Sequence, residues 1–143
     1  MCKKASHGGP SVRIVPIEGD KVETFMQGEV ASRTWTWDQP VFVGDCMLAA
    51  GAKLIVRSDG TANWIARARS TDDDDTFTAY FLFNKANGDP TFPTGVIFFP
   101  NRPFPVQNLD MGNDNTWYDW VSGFGFPAGS YNDMVTATGM FTC

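Results

Sequence analysis

Four consecutive aspartates, Asp72 to Asp75 in the run RSTDDDDTF, are the densest group of ionisable side chains in a sequence that holds sixteen acidic residues. Carboxylates in such number invite a hard cation, since calcium takes roughly six to eight oxygens at about 2.3 to 2.6 Å. Contiguity argues against all four sharing one ion, because successive side chains of an extended segment point to opposite sides. At most two or three converge. Asp73 and Asp75 are the pair taken here for calcium, with further oxygens from another loop such as Asp110, Asp114 or Asp119. The favoured alternative is a solvated turn between two strands, in which the aspartates cap backbone amides.

A second constellation lies in DMGNDNTWYDW, where Asp110, Asp114 and Asp119 stand close to Trp117, Tyr118 and Trp120. Carboxylates and amides beside flat rings suit sugars: hydroxyls take the hydrogen bonds and the C–H face of the sugar lies on an indole. Trp35 and Trp37 in SRTWTW, and Trp64 in TANWIARAR, extend the candidate ligand-binding set to Trp35, Trp37, Trp64, Trp117, Tyr118, Asp119 and Trp120. The favoured alternative is a loop that enters an aromatic core strand, and Trp35 and Trp37 carry the same ambiguity.

Other chemistries find little support. A Ser-His-Asp or Cys-His arrangement needs a histidine held in place, and the single one, His7, is followed by two glycines in the N-terminal tail. A glycosidase needs two carboxylates at a set separation, which sequence does not supply. There is no P-loop and no G-x-G-x-x-G. No cofactor is expected beyond the calcium considered above.

The elements that must position these residues are strands. AKLIVRSDGTANWIARAR carries Asp59-Gly60 between two β-patterned runs, the mark of a hairpin, because Gly reaches positive φ without a Cβ clash. In its second arm Trp64, Ala66 and Ala68 share one face, while Asn63, Ile65, Arg67 and Arg69 share the other. TFTAYFLF alternates in the same way and reads as a central strand, with Phe77, Ala79, Phe81 and Phe83 on its apolar face. TGVIFFP, ended by Pro100, reads as a buried strand, and Pro103 and Pro105 confine the next piece to an edge or an irregular loop. NTWYDWVSGFGF resumes alternation, with a bend or bulge suggested at Gly123 and Gly125. KVETFMQGEV, SRTWTW and DMVTATGMFTC complete the set.

With twelve Phe and five Trp the chain has ample material for a core, and its many short strands predict an all-β fold. A mostly antiparallel, calycin-like β-barrel is favoured because closure removes exposed edges, with a two-layer β-sandwich as the alternative. Residues 1–21 mix charge, Gly and Pro and read as a flexible tail that adds at most one edge strand; residues 22–143 form the single domain.

Eleven basic residues against sixteen acidic ones leave a net charge of −5. Residues 22–143 alone hold seven basic and fourteen acidic residues, or −7, and the basic ones never form a run. Such a body repels phosphate backbones, which disfavours nucleic acid as a partner. No apolar window is long enough to span a membrane, and residues 1–21 lack the apolar stretch of a signal peptide. The oligomeric state leaves no mark on the sequence.

Cys46 and Cys143 stand at strand-like positions, whereas Cys2 sits in the tail. A Cys46–Cys143 disulfide would close a loop of about 100 residues, for which chain entropy gives about 4.7 kcal/mol. Two independent buried thiols are the alternative.

The succession of GDC at Gly44 to Cys46, SDGTA at Ser58 to Ala62, STDDDD at Ser70 to Asp75, NGD at Asn87 to Asp89 and the terminal Cys143 resembles a family of small bacterial proteins. These are largely actinobacterial and known only as a domain of unknown function. The resemblance implies a secreted, all-β domain with Cys46 and Cys143 paired, and it supplies no catalytic residue. The function expected is that of a non-catalytic binding protein for a small apolar or carbohydrate ligand, or for a partner held by its loops. The alternative is a cofactorless cyclase or isomerase working in an aromatic barrel cavity.

Overall fold

The computed structural model describes residues 15–89 and 106–143. Residues 1–14 with Cys2 and His7, the strand expected in TGVIFFP and the proline-rich piece up to Pro105 lie outside them.

The chain runs through β1 (Val15–Glu18), β2 (Lys21–Gln27), β3 (Val30–Trp37), β4 (Val41–Val43), β5 (Cys46–Leu48), β6 (Ala52–Arg57), β7 (Thr61–Ser70), β8 (Asp75–Asn84), β9 (Val106–Met111), β10 (Tyr118–Gly125) and β11 (Thr136–Thr142). A 3-10 helix, Ala128–Asp133, precedes β11. Tight turns carry the hairpins: Gly28 joins β2 to β3 at φ 63°, and Gly60 joins β6 to β7 at φ 90°. At Gly60 the requirement is double, because a Cβ there would lie 2.7 Å from the Phe126 carbonyl oxygen.

Among the described residues all pairings are antiparallel, in two sheets. One has the order β1-β11-β8-β9, and the other follows β2-β3-β6-β7-β5-β4 with β10 also paired to β7. Since Ala68 pairs with both Leu48 and Tyr118, β5 and β10 occupy opposite edges of β7. Strand β7 is the spine of the larger sheet.

The arrangement is sandwich-like. No closed barrel forms among the described residues, so the two-layer alternative is the one observed and the favoured barrel is not. The physical reason lies between the layers, where bulky rings from the two sheets pack against one another at tilted and edge-on angles instead of lining a hollow. Trp64 of β7 packs on Phe81 of β8 with ring centroids 4.9 Å apart, Trp35 on Phe83 at 5.6 Å, and Trp120 on Phe77 at 5.3 Å. Trp37 meets Phe141 at 6.2 Å and gives its indole N–H to the Ile17 carbonyl at 2.9 Å. Alternation along β7 and β8 is as the sequence pattern requires: Trp64, Ala66, Ala68, Phe77, Ala79, Phe81 and Phe83 are buried, and their neighbours are turned outward.

Within the segment read as a tail, Val15–Glu18 forms an edge strand on β11. Gly123 and Gly125 do not make a bulge, because β10 keeps continuous register with β7 from Tyr118↔Ala68 to Gly125↔Thr61. Glycine at 123 answers a close approach: a Cβ would sit 3.0 Å from the Ala62 carbonyl oxygen. No helix among the described residues is long and apolar enough to cross a membrane.

Candidate ligand-binding surface

The aspartate run sits where the chain leaves the larger sheet at Ser70 and enters the smaller one at Asp75. This corner gives the four carboxylates different surroundings. Asp75 is 2% exposed and accepts a hydrogen bond from Ser70 Oγ at 2.5 Å; Ser70 Oγ in turn accepts the Asp72 N–H at 3.1 Å and closes the turn. Asp73 accepts the Asp114 N–H at 2.9 Å, so its role is to cap the loop after β9. Asp74 takes positive φ, 59°, and its N–H reaches the Gly112 carbonyl at 3.3 Å.

Carboxylates do converge here, but not the pair chosen from sequence. Asp72, not Asp73, joins Asp75, and the third member is Asp45 in the turn between β4 and β5; one oxygen from each lies within 4.8 Å of the others. The Thr71 N–H donates to the Asp45 carbonyl at 3.0 Å and fixes that turn against the run. Sequence missed Asp45 because its approach depends on β5 pairing with the end of β7, Cys46↔Ser70. Asp75 also borders the Cys46–Cys143 disulfide, with Cys143 Sγ 3.8 Å from its carboxylate. A bonded sulfur carries no proton, so this is a packing contact. The disulfide joins β5 of one sheet to the end of β11 in the other, Cα atoms 6.0 Å apart, within the normal range for such a bridge.

The aromatic candidates divide. Trp35, Trp37, Trp64 and Trp120 are all within 2% of complete burial and belong to the core between the sheets, out of reach of a ligand arriving from solvent. Tyr118 faces inward at the rim, and its hydroxyl accepts the Asn113 N–H at 2.9 Å. Trp117 and Asp119, one residue to either side, face outward. Two residues earn a place beside them: Arg67, whose guanidinium lies 5.3 Å from the Trp117 ring centre, and Arg69, at 4.9 Å. Arg67 Nε pairs with Asp119 Oδ1 at 3.4 Å. The two-residue period already turned both arginines outward; their meeting with Trp117 depends on the β7–β10 register.

Around this cluster the outer face of the sheet carries exposed apolar side chains among its polar ones. Ile65 on β7 lies opposite Val121 on β10, which is 65% exposed, and Phe42 on β4 is 67% exposed. An open groove of about 370 Å³ runs from Ala49–Ala52 across Ile65 and Arg67 to Asp119 and Val121. A second, of about 300 Å³, lies beside Phe42, Asp45, Met47 and Arg69.

A family of unknown function, DUF6294, matches residues 53–143, from the start of β6 through the surface just described to the terminal cysteine. The chain belongs to DUF6294. The matched part contains β7, β10, the aspartate corner and Cys143, and it leaves Asp45, Cys46 and the β4–β5 hairpin outside. No curated protein and no solved structure matches the chain.

Proposed function

We propose that this DUF6294 protein is a secreted, non-catalytic binding domain that holds a carbohydrate on the outer face of β7 and β10. The observation that carries the reading is the Trp117–Arg67–Asp119 cluster. An exposed ion pair such as Arg67–Asp119 adds only about 0 to 1 kcal/mol to stability, so the fold has little need of it. A half-buried indole flanked by donors and a carboxylate is, however, what sugar hydroxyls and a sugar's C–H face require. The adjoining groove supplies room for more than one ring. Secretion is our reading of the disulfide, since such bridges persist in oxidising compartments. The alternative of an enzyme in an interior cavity is less favoured, because tryptophan and phenylalanine side chains occupy the space between the sheets where its site would lie.

Affinity electrophoresis through gels containing a panel of soluble polysaccharides tests the proposal. Retardation by at least one polymer, lost in Trp117→Ala at unchanged thermal stability, supports it; no retardation by any polymer overturns it.

A second reading concerns a divalent cation. The convergence of Asp45, Asp72 and Asp75 favours calcium at the sheet-to-sheet corner, where it would tie the β4–β5 turn to the start of β8. Thermal unfolding with and without calcium is its test.

A further inference from the structure

We infer that the carbohydrate held by this surface is acidic, with a hexuronic acid carboxylate seated on Arg69; the inference rests on the sugar-binding reading above. Along the spine strand the two arginines are treated differently. Arg67 has its counter-charge in place, Asp119 at 3.4 Å. Arg69 is half-buried over the Trp117 ring, and no carboxylate pairs with it among the described residues. An aromatic face offsets the positive charge but leaves most of the five guanidinium N–H donors without an acceptor. A planar carboxylate is the group that matches that fork in two parallel hydrogen bonds.

The surroundings of Arg69 say what the carboxylate is attached to. Phe42 lies opposite Met47 across β4 and β5, Met47 lies opposite Arg69 across β5 and β7, and Arg69 reaches the Trp117 ring beside β10. These four side chains make one row across β4, β5 and β7 to the residue that precedes β10, three inter-strand steps or roughly 14 Å from end to end. Its order is ring, thioether, cation, ring. A chain of linked pyranoses laid along the row sets its C–H faces on Phe42 and Trp117 while the acid group between them meets Arg69. The carboxylate of Asp119, beside Arg67, accepts hydrogen bonds from sugar hydroxyls and disfavours a ligand that carries several anionic groups on each ring. That selects a sugar acid over a densely charged polyanion.

The test uses the full chain with three soluble polymers: polygalacturonate, neutral galactan and dextran sulfate. The expected result is preferential binding of polygalacturonate, weakened about tenfold or more in Arg69→Ala. Arg69→Lys, which keeps the charge and loses the fork, should also bind more weakly than the parent. Both variants should unfold at the parent temperature, since Arg69 lies on the outer face. Equal binding of galactan, or wild-type affinity in Arg69→Ala, overturns the inference and leaves the sugar surface standing. Equal or stronger binding of dextran sulfate overturns it in favour of plain charge attraction. No binding of any of the three, nor of the wider panel, overturns both readings together.

Discussion

Cys46 and Cys143 tie the two sheets of the sandwich together at the corner where the aspartate run crosses between them, with 97 residues of sequence separation closed by one bond. Cys143 follows the last strand, so the bond also holds the end of β11 against Phe77 and Asp75 of its neighbour. A loop of this length gives a large entropic effect on the unfolded chain, about 4.7 kcal/mol in the chain-entropy account. Cys143→Ser is therefore expected to lower unfolding free energy by about 3 to 5 kcal/mol. Guanidinium unfolding of the variant, and of the parent with and without reductant, measures it; a loss below about 1 kcal/mol would show the terminal strand to be held by packing alone.

The tryptophans should fall into two classes. Trp64 touches Trp37, Trp120, Phe81 and Phe141 at once, with edge-to-face geometry to Trp37 and Trp120 at 85° and 89°. Trp64→Ala is expected to cost about 3 to 5 kcal/mol. Trp117→Ala, by contrast, should change stability by less than about 1 kcal/mol, as surface changes usually do, while abolishing polysaccharide retardation. Chemical denaturation of both variants beside the gel assay separates the classes. Destabilisation of similar size in the two would place Trp117 among the structural residues.

Much of this was legible in the sequence because it depends on a period of two. The apolar face of Phe77, Phe81 and Phe83, the outward turn of Arg67 and Arg69, and the hairpin at Asp59-Gly60 all follow from local alternation and turn chemistry, whereas Trp64, placed among the ligand-binding residues from sequence, is buried in the core. What was not legible depends on register between distant strands. Asp45 reaches the aspartate run only because β5 pairs with the end of β7, and Arg69 meets Trp117 only because β10 takes the other edge. The choice between barrel and sandwich has the same character: the strands alone fit both, and closure is decided by how the rings pack across the layers.

The cation reading makes a residue-specific prediction. Millimolar calcium should raise the unfolding temperature, Asp45→Asn and Asp72→Asn should remove the rise, and Asp73→Asn should leave it, since Asp73 is turned to the Asp114 amide. Differential scanning calorimetry with calcium and with chelator reads this directly. An absence of any shift in the parent protein would leave the corner as a hydrogen-bonded turn.

Asp59 supplies a pH test of the hairpin. Its carboxylate accepts the Thr61 hydroxyl at 2.7 Å and the Thr61 N–H at 3.1 Å. The Thr61 side-chain hydrogen bond is the main cause that lowers its pKa from 3.8, with help from the Arg57 charge and some opposition from burial. A depressed folded pKa means that the contribution to stability is complete above 3.8 and is lost as pH falls through the lower, folded value. Carboxyl NMR titration should place the Asp59 midpoint below 3.8, and Thr61→Val should move it back up. A midpoint unaffected by that substitution would show that the hydroxyl is not the cause.

Gly139 offers a test of how tightly the layers are packed. A Cβ at this position would lie 2.5 Å from Phe141 Cζ and 2.7 Å from Cε2, because the Phe141 ring folds back over the strand two residues before it. Alanine for glycine in a strand ordinarily stabilises, by roughly 0.5 to 1 kcal/mol, through the backbone freedom it removes. Here the ring must move, and it is wholly buried with Trp37, Trp64 and Phe77 around it at centroid distances of 6.1 to 6.2 Å. Overpacking then outweighs the entropy, and Gly139→Ala is expected to destabilise by about 1 to 3 kcal/mol. Gly129→Ala is the control, since a Cβ there meets nothing within 4 Å. Phe141→Leu in the Gly139→Ala background should recover part of the loss, a coupling visible in a double-mutant cycle by urea denaturation. A Gly139→Ala midpoint at or above the parent's would mean that the ring yields freely and the interior is looser than its aromatic contacts imply.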